Sequence, residues 1–536
     1  MQYLSIIALI FSPLVMAGLL YSPFFKNNEV KIRRFSKGFA SLHFLYTLLF
    51  LAFFNPIDNE ISFYKEITFF GSSWVNILGL KMDFGMDGLS LVMVILTSFV
   101  ILLALIASKS NIRAKHKFYY SMIFLLQTAV LGVFCARDMF LFFMFWELEL
   151  IPMYFLIGQW GSGEKAKASA MKFVLYTFFG SLFMLLGILL LHFYNFAVYG
   201  NMTADFTQIL ISSPQFPIFM QVLISILLLI GFAVKMPIVP FHTWLPDAHV
   251  DAPTPVSMIL AAILLKMGAY GIIRFNMQLL PEAFKLIVPA LVVFAIINII
   301  YAAFVAYSQT DLKKLVAYSS ISNMGIVLLG LCTLNVMGFS GAVFQMLAHG
   351  VISAGLFMLV GIIYIRTKTR EMSELGGLGH VMPKLMGFGI VLSMASVGVP
   401  LLMGFVGEFM VFLGAFNSNI NELGELNAPI KIYTILAILV LILSAAYILR
   451  LLHKTFFGNI FEKWTSQGTN RGTNHGTNSG TLHCEKINCE VKDITNHEFV
   501  VLFAITLVIV FFGIFPMAIV DIIQPVLTNI LQLLQI

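Results

Sequence analysis

The chain has 536 residues, 59% hydrophobic and 14% aromatic, and only 11% are Asp, Glu, Lys or Arg, against roughly 25% in a soluble domain. A soluble fold is excluded, because so few charges cannot cover a chain of this length. The formal charge of +6 does not indicate nucleic acid: the basic residues sit in short connections between apolar runs, where membrane orientation accounts for them.

Apolar segments long enough to cross a hydrocarbon core of about 30 Å as helices recur from end to end. They fall at 2–21, 36–54, 86–107, 117–136, 138–158, 168–195 and 218–241, then at 252–275, 284–307, 312–333, 337–364, 384–413, 431–452 and 497–520. The pattern predicts an all-α polytopic membrane protein with about 14 transmembrane helices. The first segment lacks a basic n-region and a small-residue cleavage pattern, so it reads as a retained span. Of the 32 Lys and Arg, 24 lie in or beside loops that follow odd-numbered spans and six in the others. That bias places the odd loops in the cytoplasm and both termini outside. The other two, Lys235 and Lys266, fall within spans.

Proline and glycine mark two broken helices. Pro237 and Pro240 remove backbone donors beside Lys235 in the seventh span, and Pro400 and Gly404 precede Glu408 in the twelfth. Helices 4–8 and 9–13 therefore form two five-helix units, each with its broken, charged helix fourth. Because five is odd, the second unit is inverted relative to the first. The expected organisation is helices 1–3 in 1–115, the first repeat in 116–280, the second in 281–455, a flexible cytoplasmic loop in 456–496, and a last helix with an interfacial tail in 497–536. Within that loop, 467–482 repeats Gly-Thr-Asn, a composition that cannot build a packed core.

Glu147, Lys235, Lys266 and Glu408 lie in or near span interiors, where a charge costs roughly 2.5 to 3.5 kcal/mol to insert. Lys266 is roughly 13 Å from the nearer interface at 1.5 Å per residue, too far to snorkel. Glu147 and Glu149 are two residues apart, about 200° around a regular helix, so they cannot share a face. His349 is also mid-span. Discontinuous helices carrying polar groups at mid-membrane are the signature of ion sites in transporters. Cysteine contributes no redox centre: Cys135 and Cys332 lie in apolar runs, Cys484 and Cys489 in the polar loop, with no CxxC pair. His483, Cys484 and Cys489 lack a fourth metal ligand, and Gly376-Gly377-Leu378-Gly379 lacks the context of a nucleotide loop.

The sequence Phe145-Trp146-Glu147 with Pro152-Met153-Tyr154, then Val234-Lys235-Met236-Pro237 running into Phe241-His242-Thr243-Trp244-Leu245-Pro246-Asp247-Ala248-His249, resembles the antiporter-like subunits of respiratory complex I. The resemblance continues through Ala252-Pro253-Thr254-Pro255, Leu265-Lys266, Asp311-Leu312-Lys313-Lys314 and Ala317-Tyr318-Ser319-Ser320, and covers most of residues 85–455. Glutamate in Gly404-Phe405-Val406-Gly407-Glu408-Phe409 resembles the M-type branch, where the L- and N-type relatives and multisubunit sodium/proton antiporters usually carry lysine.

The resemblance implies a proton-translocating module with no cofactor of its own, with NADH, FMN, iron–sulfur clusters and quinone in partner subunits. The partners it implies are L- and N-type antiporter-like subunits and small membrane subunits in a cell inner membrane, or a thylakoid in a photosynthetic organism. Glu147 and Lys235 would form a switchable ion pair on the cytoplasmic side, Lys266 the central relay, His349 a relay histidine and Glu408 the exit-side residue. Asn323 stands where relatives often have His, and Val399-Pro400-Leu401-Leu402 departs from the usual Gly-Leu-Pro-Gly break. The alternatives are a multisubunit cation/proton antiporter or a membrane-bound hydrogenase-type complex.

Overall fold

The computed structural model describes residues 5–25, 28–55, 62–67, 74–75, 78–108, 112, 115–200, 202–418, 427–459 and 492–534. The helices are α1 (Ile6–Leu19), α2 (Glu29–Ala52), α3 (Gly88–Ala107), α4 (His116–Cys135), α5 (Met139–Leu148), α6 (Leu150–Trp160), α7 (Ala166–Tyr199), α8 (Phe206–Ser212), α9 (Ile218–Lys235), α10 (Trp244–Asp251), α11 (Thr254–Ile259) and α12 (Leu265–Gly271). The second half continues with α13 (Pro281–Ser308), α14 (Leu312–Leu331), α15 (Val336–Thr367), α16 (Pro383–Val397), α17 (Met403–Phe416), α18 (Asn427–Phe456), α19 (Asn496–Ile514) and α20 (Met517–Leu533). Short polar side chains set several starts: Asp87 accepts from Ser90 N at α3, Asp138 from Phe140 N and Leu141 N at α5, and Asp311 from Lys313 N and Lys314 N at α14.

Among the described residues, 12 helices are long and apolar enough to cross a membrane. The two expected segments outside that set are α1, with 14 residues, and the twelfth span, which is divided into α16 and α17. The seventh expected span stops short at Lys235 and is completed by α10. One departure from an all-α chain is a ribbon of β1 (Ser62–Ile67) and β2 (Met82–Met86), antiparallel with Glu66 opposite Asp83. It lies between spans, where hydropathy carries no signal. The Gly-Thr-Asn repeat and the group His483, Cys484 and Cys489 fall outside the described residues.

Alternate loops meet at opposite ends of the bundle. At one end Arg137 N donates to the Asp83 carbonyl, Phe206 N to the Arg137 carbonyl, and Arg274 pairs with Asp87 at 2.5 Å. At the other, Ser162 N donates to the Asp251 carbonyl, Leu312 N to that of Arg370, and Gly377 N to that of Phe457. The first set joins the ends of even-numbered loops and the second the ends of odd-numbered ones, as continuous crossing requires. The two five-helix repeats are therefore inverted.

Burial grades across the bundle. The apolar windows of Thr254–Met277 and Val336–Thr367 are wholly buried, whereas that of α19 is only 28% buried, so the central parts of these two spans are screened from lipid. They approach closely at Gly350, where a Cβ would stand 2.9 Å from the Ala262 carbonyl oxygen. The tail forms α20, whose buried Ile519, Ile523, Leu527 and Ile530 pack it onto α3 and α15.

An ion pair fastens α19 to α15. Arg366 donates to both carboxylate oxygens of Glu498, at 3.0 and 2.6 Å, and to the Lys492 and Asp493 carbonyls, while Glu498 also accepts from Thr495 N in a capping box. Arg366→Ala leaves Glu498 without that partner in a nearly buried site and is expected to cost about 3 kcal/mol. The check is a lowered melting temperature of the purified protein, with faster amide exchange confined to α19.

Candidate functional site

Lys235 is the last residue of α9. The helix ends there because Pro237 and Pro240 have no amide to continue the ladder, and Met236 N closes it on the Phe232 carbonyl. The Lys235 side chain is 1% exposed and its ammonium is paired with Glu149, which is 0% exposed. The rings of Trp146 and Phe173 flank the ammonium at 5.4 Å. The indole of Trp244 donates to the Val234 carbonyl at 2.9 Å, tying α10 back to the end of α9.

The Lys235 ammonium, expected to pair with Glu147, makes its ion pair with Glu149. Pro152 offers no N–H to the Leu148 carbonyl, and the boundary between α5 and α6 falls at Glu149, whose backbone angles stay helical at φ −69° and ψ −21°. Glu149 is fully buried against Lys235, and Glu147, half-buried, lies beside Ser181 and within electrostatic reach of the same lysine.

Lys266 sits between two π-helical turns, Leu260–Leu264 and Ile272–Met277. Such wide turns inside helices are frequent at functional sites. Its ammonium donates to the Ala261 carbonyl at 2.6 Å and lies 2.7 Å from Nδ1 of His349. When Lys266 is protonated it can only donate, and Nδ1 is then the acceptor with the His349 proton on Nε2. Within electrostatic reach of Lys266 and His349 lies a residue to which the sequence reading gave no role: His249 on α10, fully buried and stacked on Phe357 at 4.3 Å. Neither of its ring nitrogens has a hydrogen-bond partner among the described residues.

From His349 the polar row continues along α15. Gln345, one turn away, donates to Asn323 Oδ1 at 2.9 Å, and Asn323 donates to the Ser319 carbonyl. Asn323 and Glu408 face a common cavity of about 10 Å³ with Ser396, Ser444 and Tyr447, room for about one water. Glu408 is 6% exposed and packs against Gly398 at the break between α16 and α17. Asparagine at 323 thus keeps a polar link where a titratable ring is missing.

The structure brings Lys266 and His349 into direct contact, sets Glu147 and Lys235 in one cluster, and keeps Glu408 apart, connected through Gln345, Asn323 and the small cavity. Sequence reasoning missed Glu149 as the paired carboxylate, His249 and Gln345.

A family model matches the stretch of chain that holds these residues. Residues 136–426, which hold Glu147, Lys235, Lys266, His349 and Glu408, match the family model described as "NADH:quinone oxidoreductase/Mrp antiporter, TM". The chain belongs to that family. It is of the chain 4 or M type: NAD(P)H-quinone oxidoreductase chain 4 1 of Picosynechococcus sp. is 42% identical over 83% of this chain and 80% of its own length. NADH-quinone oxidoreductase subunit M of Rickettsia prowazekii is 35% identical over 97% of both chains. A chain of respiratory complex I from Thermus thermophilus with bound NADH superposes with a TM-score of 0.81 at 27% identity over 99% of each. A chain of the Mrp complex from Dietzia sp. also reaches 0.81, at 19% identity and covering 100% of each, which shows a common fold.

Proposed function

We propose that this member of the NADH:quinone oxidoreductase/Mrp family is the proton-translocating M-type subunit of a quinone-reducing complex. Its role is that of a non-redox translocase, and NADH, FMN, iron–sulfur clusters and quinone belong to partner subunits. The observation that carries this reading is the set of buried polar groups within the spans: Glu149 with Lys235, Lys266 with His349, Gln345 with Asn323, and Glu408 on the cavity that Asn323 also lines.

The chemistry follows from the geometry. In a site of low dielectric an ammonium is held by its counter-ion, so moving a carboxylate away from Lys235 favours release of its proton to an acceptor further along the row. Near Lys266, His249 offers two ring nitrogens without a partner among the described residues, and the His349 ring nitrogen lies 2.7 Å from the Lys266 nitrogen. A partner that shifts the first pair thereby changes the proton affinity of the next, which couples distant electron transfer to transport. The excess of basic residues in odd-numbered loops puts the Lys235 end toward the cytoplasm and both termini outside.

The test uses the complete complex in liposomes. Lys235→Ala and Glu147→Gln are each expected to lower proton translocation per electron pair about tenfold, equivalent to about 1.4 kcal/mol on the transfer barrier. Unchanged proton flux in both variants would remove this pair from the pathway.

A further inference from the structure

Around Lys235 the structure holds one ammonium and two carboxylates, in a setting walled by Trp146 and Phe173. One ammonium neutralises one carboxylate, and a second uncompensated charge in such a site costs several kcal/mol. The hydrogen bonds indicate which carboxylate is the neutral one. Glu149 has no hydrogen-bond donor other than the Lys235 ammonium, the partner an ionised carboxylate needs. Glu147 lies beside Ser181, whose hydroxyl already donates its single hydrogen to the Phe178 carbonyl at 2.9 Å. The ammonium is on Glu149 and not on Glu147, so Glu147 is the carboxyl left to carry the proton.

We propose, resting on the relay reading above, that Glu147 and Glu149 share a single proton opposite Lys235, so that the input site is a three-group exchanger and not a simple ion pair. In the state seen here the ammonium is on Glu149 and the proton on Glu147. When the ammonium moves to Glu147, that carboxyl gives up its proton and Glu149 takes one up. The number of protons held by the three groups and their net charge are the same before and after. The exchange therefore reorients the lysine without creating an unpaired charge in the membrane, and it leaves Glu149, with no serine beside it, as the protonated group facing the row. The position of the lysine is what permits it, since its ammonium is in contact with Glu149 and within electrostatic reach of Glu147.

The test is infrared spectroscopy of the intact complex, comparing spectra in light and heavy water for the native protein, Glu147→Gln and Glu149→Gln, together with proton translocation in liposomes. In both variants the surviving carboxylate is expected to be ionised against Lys235, so the same deuterium-sensitive carboxylic-acid stretch disappears from each. Proton translocation falls about tenfold or more in each, and Glu149→Asp, which keeps the second carboxylate, restores it. Loss of the stretch in only one variant, or in neither, overturns the shared proton. If Glu149→Gln does not assemble, Glu147→Gln decides alone, because a stretch that persists there has the same consequence. Loss of the stretch in both with translocation unchanged would instead leave the exchanger standing and overturn the relay reading.

Discussion

Lys266→Met is expected to abolish proton translocation, by about a hundredfold or more, the range over which a positioned acid–base group acts, while the protein still assembles. Methionine fills nearly the same volume and its flexible thioether tolerates an enclosed apolar site. What disappears is the donor to the Ala261 carbonyl at 2.6 Å and the contact with His349 at 2.7 Å. The second of these joins the eighth span to α15, and Lys266 itself is 0% exposed, so bulk water cannot replace it. Lys266→Arg separates charge from proton transfer: a guanidinium keeps the charge but does not release its proton, so it is expected to be as inactive as methionine. Proton flux at the native level in Lys266→Met, measured in liposomes alongside quinone reduction, would show that protons bypass this residue.

Gly404→Val is expected to remove the assembled protein from the membrane altogether. The second broken helix depends on α17 folding back so closely that a Cβ at Gly404 would overlap the Ala395 carbonyl oxygen, a backbone atom that cannot rotate away. The break itself is made by Gly398, with φ +79°, and by the turn through Pro400 and Leu402. Any side chain at 404 must push α17 off α16, and with it Glu408, which packs against Gly398. Overpacking of this kind costs about 1–3 kcal/mol for soft neighbours and more against backbone. Gly387→Ala on α16 is the control: nothing lies within 4 Å of its Cβ position, and alanine favours helix by about 1 kcal/mol, so its melting temperature should be unchanged or higher. Assembly is read by the amount of intact complex extracted in mild detergent. Native levels with Gly404→Val would mean the break opens without loss.

Much of this protein is legible in its sequence because the membrane is a severe solvent. Every backbone polar group in lipid must be bonded within its own helix, so runs of about 20 apolar residues translate into spans with little ambiguity. The 24-to-six partition of basic residues orders the loops. The alternation is visible again in the loop-to-loop bonds at the two ends, from Arg137 with Asp83 to Leu312 with Arg370. Ionisable residues within spans stand out for the same reason, and each of Glu147, Lys235, Lys266, His349 and Glu408 lies in or beside the polar row. The proline pairs announce the breaks that hold them, and the motifs place the chain in its family.

Other features were not legible, because they depend on where a broken helix points. Counting residues around a regular helix separates Glu147 from Glu149 without saying which one meets Lys235, and the packing gives the buried ion pair to Glu149. His249 reads as one more letter of a motif until the fold sets it, stacked on Phe357, within electrostatic reach of Lys266. Gln345 becomes a link to Asn323 only because α15 and α14 are packed side by side. The ribbon of β1 and β2 and the docking of α20 on α3 and α15 lie outside the reach of span counting, since neither is decided by hydropathy over 20 residues. By itself the sequence determined the spans, their alternation and which charges lie among them, because one-dimensional transfer energies are enough for that. Only the tertiary structure decided which charges touch, because contact depends on helix breaks and close backbone approaches such as Gly350 on Ala262, set by packing between segments far apart in the chain.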